Sequence, residues 1–451
     1  MLCYLKKMGQ HLLSSSLSVF LVTGMLLPTP SYAKVSPELW FTPSDIQLPK
    51  QTHVGLLDNG LRYVILPTSK TSPDVAIRIR VGSGVSQDTE SGLVASYTAM
   101  KTISGTQWYA NALFSQTVFA KDLSQPTQMV LASELRNFSD KLMHFNAAPR
   151  TVDSDKLLYE ETKMHFTHFN QTAQNNAYYG LEAEELNEVV SPSEKAIQAL
   201  FSNEINQFHK ANYFPANTTV VITGNVRIRE SIKAIESAFG RWNNSAKAVT
   251  LIKPQAYLID GNAQSDSDTN EFSISTLTSV NFVQDSKFYR RNLLLKQIAN
   301  VALEQRLQLA LSTIAPNASV NVESTVLFND NVWSRVRVQY NNEDMVQLKQ
   351  AVEHEIKRVI SAGLSQSEFE QALSQIRETL KAQANSNAEG YAGKQADILV
   401  NDINSGLVYQ TPSHLLELID FHAAHLNEYD VVKSFEEMWA QNKAVFLMTS
   451  K

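Results

Sequence analysis

Apolar and polar residues alternate along two short stretches near the start of the chain. Residues 61–66 and 75–81 both show this alternation, and Asp58-Asn59-Gly60 gives a turn signal immediately before the first stretch. A period of two residues is typical of a β-strand with one buried face. The pattern therefore predicts two strands that are neighbours in an antiparallel sheet.

Helical and strand-like patterns follow in turn through the rest of the first half. Ser191-Pro192-Ser193-Glu194 has the N-cap, the first-turn proline and the acidic residue of a helix start. The predicted elements are a helix start at 92–102, a strand at 110–119, helices at 127–145, 154–188 and 191–210, a strand at 218–225 and a helix at 228–242.

The second half repeats this plan. Its predicted elements are a strand at 272–282, a helix at 291–314, strands at 318–327 and 332–340, helices at 343–362 and 365–401, and a strand at 442–450. The last strand echoes residues 217–224, because both follow a helix with aromatic residues; this is a weak internal repeat near half the chain. A chain of 451 residues is too long for one core. We expect two domains, at 45–250 and 255–451.

The first 33 residues predict a secretory signal peptide. Lys6 and Lys7 precede an apolar run at 17–27, and Ser31-Tyr32-Ala33 fits a small-x-small cleavage site. A transmembrane anchor is the alternative, but it needs about 20 apolar residues and this run is shorter. The sequence thus predicts export in a bacterium, to the periplasm, without a membrane span once the signal is removed.

Composition excludes some partners. The formal net charge is −6, and loss of the two signal-peptide lysines would leave 37 basic against 45 acidic residues. Nucleic-acid binding requires clustered lysine and arginine, so an acidic chain argues against it. The one cysteine, Cys3, would leave with the signal peptide. The mature chain would have no disulfide, and its stability must come from core packing.

Several motifs resemble the insulinase/pitrilysin family of zinc metallopeptidases. They occur in the expected order and are the run at 57–64, Gly92-Leu93-Val94-Ala95, Tyr213-Phe214-Pro215-Ala216-Asn217, Phe239-Gly240-Arg241-Trp242, Arg306-Leu307 and the segment 363–369. The resemblance spans most of the mature chain. It implies an α+β fold of two similar domains, each an antiparallel sheet backed by helices. Together these domains would form one half of a clamshell that closes around an unfolded peptide.

The zinc motif of that family is missing. Where the resemblance places the inverted His-x-x-Glu-His (inverzincin) motif, this chain has Ala95, Thr98 and Ala99. The family's zinc needs two imidazoles and a carboxylate, and the glutamate of the motif acts as general base. A methyl group has no lone pair for the metal, and a threonine hydroxyl is not a base near neutral pH. We therefore expect no zinc, no other cofactor and no catalytic residue at these positions.

Other possible ligands lie later in the chain. The resemblance implies a third zinc ligand on a later helix, for which Glu160 or Glu161 is the candidate; the alternative is a solvated helix face. His165 and His168, three residues apart, could form a relocated metal site with Glu161. Two ordinary surface histidines are the alternative. His422 and His425 have the same spacing.

Three functions follow from these observations. The first is an exported, non-catalytic member of the insulinase family that pairs with a catalytic insulinase-family chain or acts without one as a peptide-binding half; an edge strand of its sheet could accept an extended peptide. The second is an active zinc metalloendopeptidase with the relocated site of Glu161, His165 and His168. The third is a structural or assembly subunit that binds no peptide.

Overall fold

Two β-sheets, each flanked by helices, make up the described part of the chain. The computed structural model describes residues 39–68, 74–87, 93–113, 115–147, 202–243, 258, 261–264, 270–327, 331–385 and 391–450. The mixture of mainly antiparallel sheets with helices agrees with the α+β fold that the resemblance implies.

The first sheet has six strands in the order β1-β2-β6-β3-β5-β4. The strands are β1 His53–Leu56, β2 Arg62–Pro67, β3 Val75–Val81, β4 Tyr109–Ala112, β5 Thr117–Leu123 and β6 Thr218–Gly224. The prediction that β2 and β3 are neighbours is wrong, because β6 lies between them, parallel to β2 and antiparallel to β3. Every residue of β6 is buried, so this strand needs a partner on both sides.

The third predicted strand, at 110–119, is in fact two strands. β4 and β5 form an antiparallel hairpin, and the backbone N–H of Leu113 donates to the carbonyl of Gln116 (2.8 Å) across its turn. Leu113 continues the apolar pattern of β4 into the turn, so the periodicity did not reveal where the chain reverses.

Four described helices belong to the first half: α1 Leu93–Ile103, α2 Gln128–Met143, α3 Ser202–Asn212 and α4 Ile228–Phe239. Helix α2 begins where the Thr127 side chain accepts a hydrogen bond from the Val130 N–H, and it buries Leu131, Leu135 and Phe138 at helical spacing. These side chains and one face of the sheet form the first hydrophobic core.

The second sheet repeats the first. Its strands are β7 Gly261–Gln264, β8 Asn270–Ser279, β9 Ser319–Leu327, β10 Asn331–Tyr340 and β11 Val445–Ser450, in the order β7-β11-β8-β10-β9. This is the order of the first sheet without β1, since β11 pairs parallel to β7 and antiparallel to β8 as β6 does to β2 and β3. The predicted internal repeat is confirmed, with β6 and β11 in equivalent positions.

Six helices in the described ranges belong to the second half: α5 Lys287–Ser312, α6 Met345–Ala362, α7 Gln366–Asn385, α8 Ala392–Asn404, α9 Pro412–Ala423 and α10 Glu428–Trp439. The single helix predicted at 365–401 is wrong, because its two parts, α7 and α8, bury their apolar faces in different cores. None of the helices in the described ranges is long and apolar enough to span a bilayer.

Helix α8 packs on the first sheet, although it follows the second one in the chain. Its residues Ala396, Leu399 and Val400 contact Val64 of β2 and Val221 of β6, on the face opposite the first core. The sequence pattern predicted a sheet with one buried face. The observed sheet is buried on both faces because the second half supplies the helix that covers the other side.

Candidate functional site

Ala95, Thr98 and Ala99 lie on helix α1 and are almost fully buried. Their exposed fractions are 0%, 0% and 2%, and both alanines belong to the first hydrophobic core. The hydroxyl of Thr98 donates to the carbonyl of Val94 (2.6 Å), one helical turn earlier. The sequence prediction of a helix start at 92–102 is confirmed, and α1 presents these three side chains to packed protein.

Zinc does not fit the donor atoms at these three positions. Both alanine methyls lack a lone pair, and the one hydroxyl already donates to a backbone carbonyl. A buried site of this composition favours neutral apolar groups and penalises a divalent cation. We therefore derive no chemical step through zinc at α1.

The other candidate ligands have different outcomes. Glu160, Glu161, His165 and His168 lie outside the described residues. His422 is buried beside Phe421, and this burial lowers the pKa of its imidazole, with the charges of Arg291 and Lys287 acting in the same direction. Within the described ranges, no three His, Cys, Asp or Glu side chains are grouped closely enough to hold a metal ion.

An edge strand of the sheet lies next to α1. Strand β4 is the last strand in the order of the first sheet and, in the described part of the chain, pairs with β5 alone. The hydrogen bond from Leu113 to Gln116 sets the alternation of the hairpin, which directs the backbone groups of Ala110 and Ala112 to the outer side, although both residues are buried (3% and 7% exposed). The side chains of these two alanines lie in the same core as Ala95. The edge and the motif positions are thus parts of one region.

Sequence reasoning missed a charged cluster on the opposite face of this sheet. Arg78 of β3 is only 4% exposed, and its guanidinium forms ion pairs with Asp122 of β5 and Asp397 of α8, at 2.6 Å each. The two carboxylates raise the pKa of Arg78 against the lowering effect of burial, the largest single influence. The sequence did contain a signal: arginines occupy positions 78 and 80 of a strand whose other residues are all apolar.

A family model described as the inactive domain of peptidase M16 matches residues 200–376. The matched segment contains α3, β6, α4 and most of the second half, and it does not include α1. The match lies outside the segment of the missing motif and is therefore independent of it.

Several proteins with similar sequence or structure are described as peptidases or proteases. The chloroplastic stromal processing peptidase of pea (Pisum sativum) is 28% identical over 222 residues, which cover 45% of this chain and 17% of that protein. The first half of the periplasmic protease PqqL from Escherichia coli has a TM-score of 0.72 at 16% identity, over 90% of this chain and 93% of that one. A predicted insulinase family protease from Yersinia pestis has a TM-score of 0.68 at 18% identity, over 90% and 93% of the two chains.

The chain spans only part of the longer relatives. The sequence match covers 17% of the pea peptidase. The structural match to the whole Escherichia coli protease PqqL covers 48% of that protein, at 17% identity and a TM-score of 0.72. Sequence motifs, repeated topology and the family model agree. Residues 200–376 match the model of the peptidase M16 inactive domain, and the chain has the fold of the first half of PqqL; Ala95, Thr98 and Ala99 lie where the sequence resemblance places the zinc motif.

Proposed function

We propose that this chain is a non-catalytic peptidase half that binds extended, unfolded peptide. The observation that carries the proposal is the combination of buried, apolar motif positions on α1 with the edge strand β4, which pairs on one side only within the described residues. A peptide that adds to a sheet edge pairs through main-chain N–H and C=O groups and needs no metal. The chain would bind peptide but would not hydrolyse it.

A catalytic partner is the second part of the proposal. Two halves close around substrate in the family that the sequence resembles, and PqqL is about twice the length of the part that this chain matches. A separate insulinase-family chain with an intact His-x-x-Glu-His motif would complete the clamshell. Export to the periplasm belongs to the same proposal; the signal-like residues 1–33 and the periplasmic protease among the similar structures support it.

Binding by strand addition is tested with a backbone change in β4. The variant Ala110→Pro removes an N–H group on the outer side of β4, where proline is tolerated at edge strands; because Ala110 is only 3% exposed, the variant must first be shown to fold. We expect the affinity for a fluorescein-labelled unstructured peptide, measured by fluorescence anisotropy, to fall about tenfold or more. The matched control, Tyr109→Ala, removes a 76% exposed side chain of the same strand and leaves the backbone intact.

The two variants together decide the binding mode. Equal peptide affinity in Ala110→Pro and wild type, with both folded by circular dichroism, would exclude β4 as the docking strand. A loss confined to Tyr109→Ala would assign binding to the side chain. If no unfolded peptide binds the wild-type chain, a structural or assembly role replaces the proposal.

Metal analysis separates the proposal from an active enzyme. We expect purified chain to contain far less than one zinc ion per molecule and to hydrolyse no unfolded peptide by itself. Stoichiometric zinc, with activity that is lost in His165→Ala and His168→Ala, would establish the relocated site instead.

A further inference from the structure

Arg62 and Arg80 lie in one row of the first sheet, with Thr219 between them. Arg62 of β2 is paired with Thr219 of β6, and Thr219 is paired with Arg80 of β3. Directly paired residues on neighbouring strands carry their side chains on the same face, here the face that α8 covers. Because adjacent strands are about 4.8 Å apart, the backbones of the two arginines are about 10 Å apart.

Both guanidinium groups bind only neutral partners. Nε of Arg80 donates to Oε1 of Gln116 (2.8 Å) and its Nη2 donates to Oδ1 of Asn404 (2.7 Å). Nη2 of Arg62 donates to the carbonyl of Ala216 (3.1 Å). No carboxylate in the described ranges forms an ion pair with either arginine. Burial lowers the pKa of Arg80 to about 10, with the charge of Arg62 acting in the same direction.

Arg78, on the same face of the sheet, is an arginine whose charge is balanced by carboxylates. It lies two residues before Arg80 on the same strand and pairs with two carboxylates, Asp122 and Asp397. Helix α8 ends at Asn404, so its negative C-terminal end lies at Arg80. A helix end carries only about half an elementary charge, which is too little to balance the positive charges of two guanidinium groups.

Thr219 adds an independent observation. Its residue is 1% exposed, and its hydroxyl has no hydrogen-bond partner in the described part of the chain. A buried hydroxyl without a partner costs free energy that a bound acceptor would recover. In the described part of the chain, Nη1 of Arg80 and Nε and Nη1 of Arg62 donate no hydrogen bond. A Cβ at Gly82 would lie 2.5 Å from Oδ1 of Asn217 and 3.2 Å from Nη1 of Arg80, so a larger residue there would crowd both groups.

We propose that Arg62, Arg80 and Thr219 form a binding site for an oxyanion, either a carboxylate or a phosphate group. Guanidinium groups match the planar geometry and charge of such anions, and two of them on the strands that flank Thr219 supply donors on one face of the sheet. Neither arginine is a fully buried residue, which leaves a route for an anion from solvent. The source is a free inorganic anion or the terminal carboxylate of a peptide.

The site is tested by titration calorimetry on the full chain at constant ionic strength. The probes are sodium phosphate and one short peptide in two forms, with a free and with an amidated C-terminus; sodium chloride is the reference. We expect saturable binding of phosphate or of the free-acid peptide, weakened about tenfold or more in the double variant Arg62→Gln and Arg80→Gln. Phosphate binding alone assigns an inorganic source, and a preference for the free acid over the amide assigns a peptide terminus.

Two further variants keep the proposal falsifiable. Thr219→Val preserves shape, removes only the hydroxyl, and should weaken the same binding about threefold or more without lowering the melting temperature of the anion-free chain. Arg227→Gln removes an exposed arginine that pairs with Glu230, and should leave binding unchanged. The proposal is overturned if neither probe binds wild type, if Thr219→Val binds like wild type, or if Arg227→Gln weakens binding as much as the double variant.

Discussion

The outer edge strands of the two sheets occupy equivalent positions but differ in what they offer to a partner. Strand β4 is four residues long, and no described strand or side chain bonds to its open side. Strand β9 is nine residues long, and its Val322 N–H donates to the carboxylate of Glu304 on α5 (2.9 Å). An edge N–H that is already bonded cannot pair with an added strand. The repeated topology thus leaves strand addition open in the first half and opposes it in the second.

The helices beside these edges differ in the same way. Helix α1 precedes β4 and presents neutral, buried Ala95 and Ala99, whereas α5 precedes β9 and uses charged side chains to hold its surroundings. Arg306 of α5 donates to both carboxylate oxygens of Glu368 on α7, at 2.5 Å and 2.9 Å. Charged side chains of α5 therefore hold a neighbouring helix in place, whereas α1 has neutral residues at Ala95, Thr98 and Ala99.

The largest expected effect comes from introducing the zinc motif into α1. The triple variant Ala95→His, Thr98→Glu, Ala99→His places three large polar groups at positions with at most 2% exposure. Overpacking and buried polar atoms should together lower the free energy of unfolding by about 3 kcal/mol or more. Urea denaturation and zinc analysis of the purified variant measure the effect, and we expect no stoichiometric zinc.

The matched control is Ala382→His, on the exposed surface of α7, which should change stability by less than about 0.5 kcal/mol. A triple variant that is as stable as wild type and binds one zinc ion per chain would show that α1 still has room for the site.

Local signals explain the elements that the sequence predicted correctly. Helix α2 was predicted at 127–145 and is observed at Gln128–Met143, because Thr127 caps its first turn and apolar residues recur at helical spacing. Strand β6 was predicted at 218–225 and is observed at Thr218–Gly224. Both depend on contacts between near neighbours or on a continuous apolar run, which can be read directly from the residues.

Long-range pairing explains the errors. Nothing near β2 and β3 indicates that β6, far along the chain, will lie between them. Arg78 and its partner Asp397 are separated by 319 positions, so the sequence showed an arginine in a strand but not the acid that compensates it. The absence of metal ligands at Ala95, Thr98 and Ala99 could be noticed only because the resemblance to a family places a zinc motif at these positions.

Removing the ion pair of α5 tests the second half of the comparison. Glu368→Gln leaves Arg306, whose side chain is 11% exposed, without its carboxylate, and should lower the free energy of unfolding by about 2 kcal/mol at neutral pH. The hydrogen bond from Arg306 is the largest cause that lowers the pKa of Glu368 from 4.5 to about 2. A lowered pKa means that this stabilisation is complete above pH 4.5 and is lost as the pH falls towards 2.

Urea midpoints at neutral pH and near pH 2 measure the difference between wild type and Glu368→Gln. The difference in urea midpoint between the two proteins should become smaller near pH 2, because wild-type Glu368 is then increasingly protonated. Glu378→Gln is the control, since Glu378 pairs with Lys381 on an exposed surface and should contribute less than about 0.5 kcal/mol. A gap that is independent of pH would assign the effect to packing instead of charge.

The smallest expected effect concerns the protected edge. Glu304→Ala removes the acceptor of the Val322 N–H, and Glu304→Gln retains an oxygen that can accept the same bond. The alanine variant should lose about 1 kcal/mol locally and exchange the Val322 amide hydrogen about fivefold faster, while the glutamine variant stays near wild type. Hydrogen exchange monitored by NMR or mass spectrometry reports this site directly. If Glu304→Ala also bound unfolded peptide more tightly than wild type, the freed β9 edge would account for it, and the carboxylate would be what restricts strand addition to β4. Unchanged exchange at Val322 would remove the contrast between the two edges.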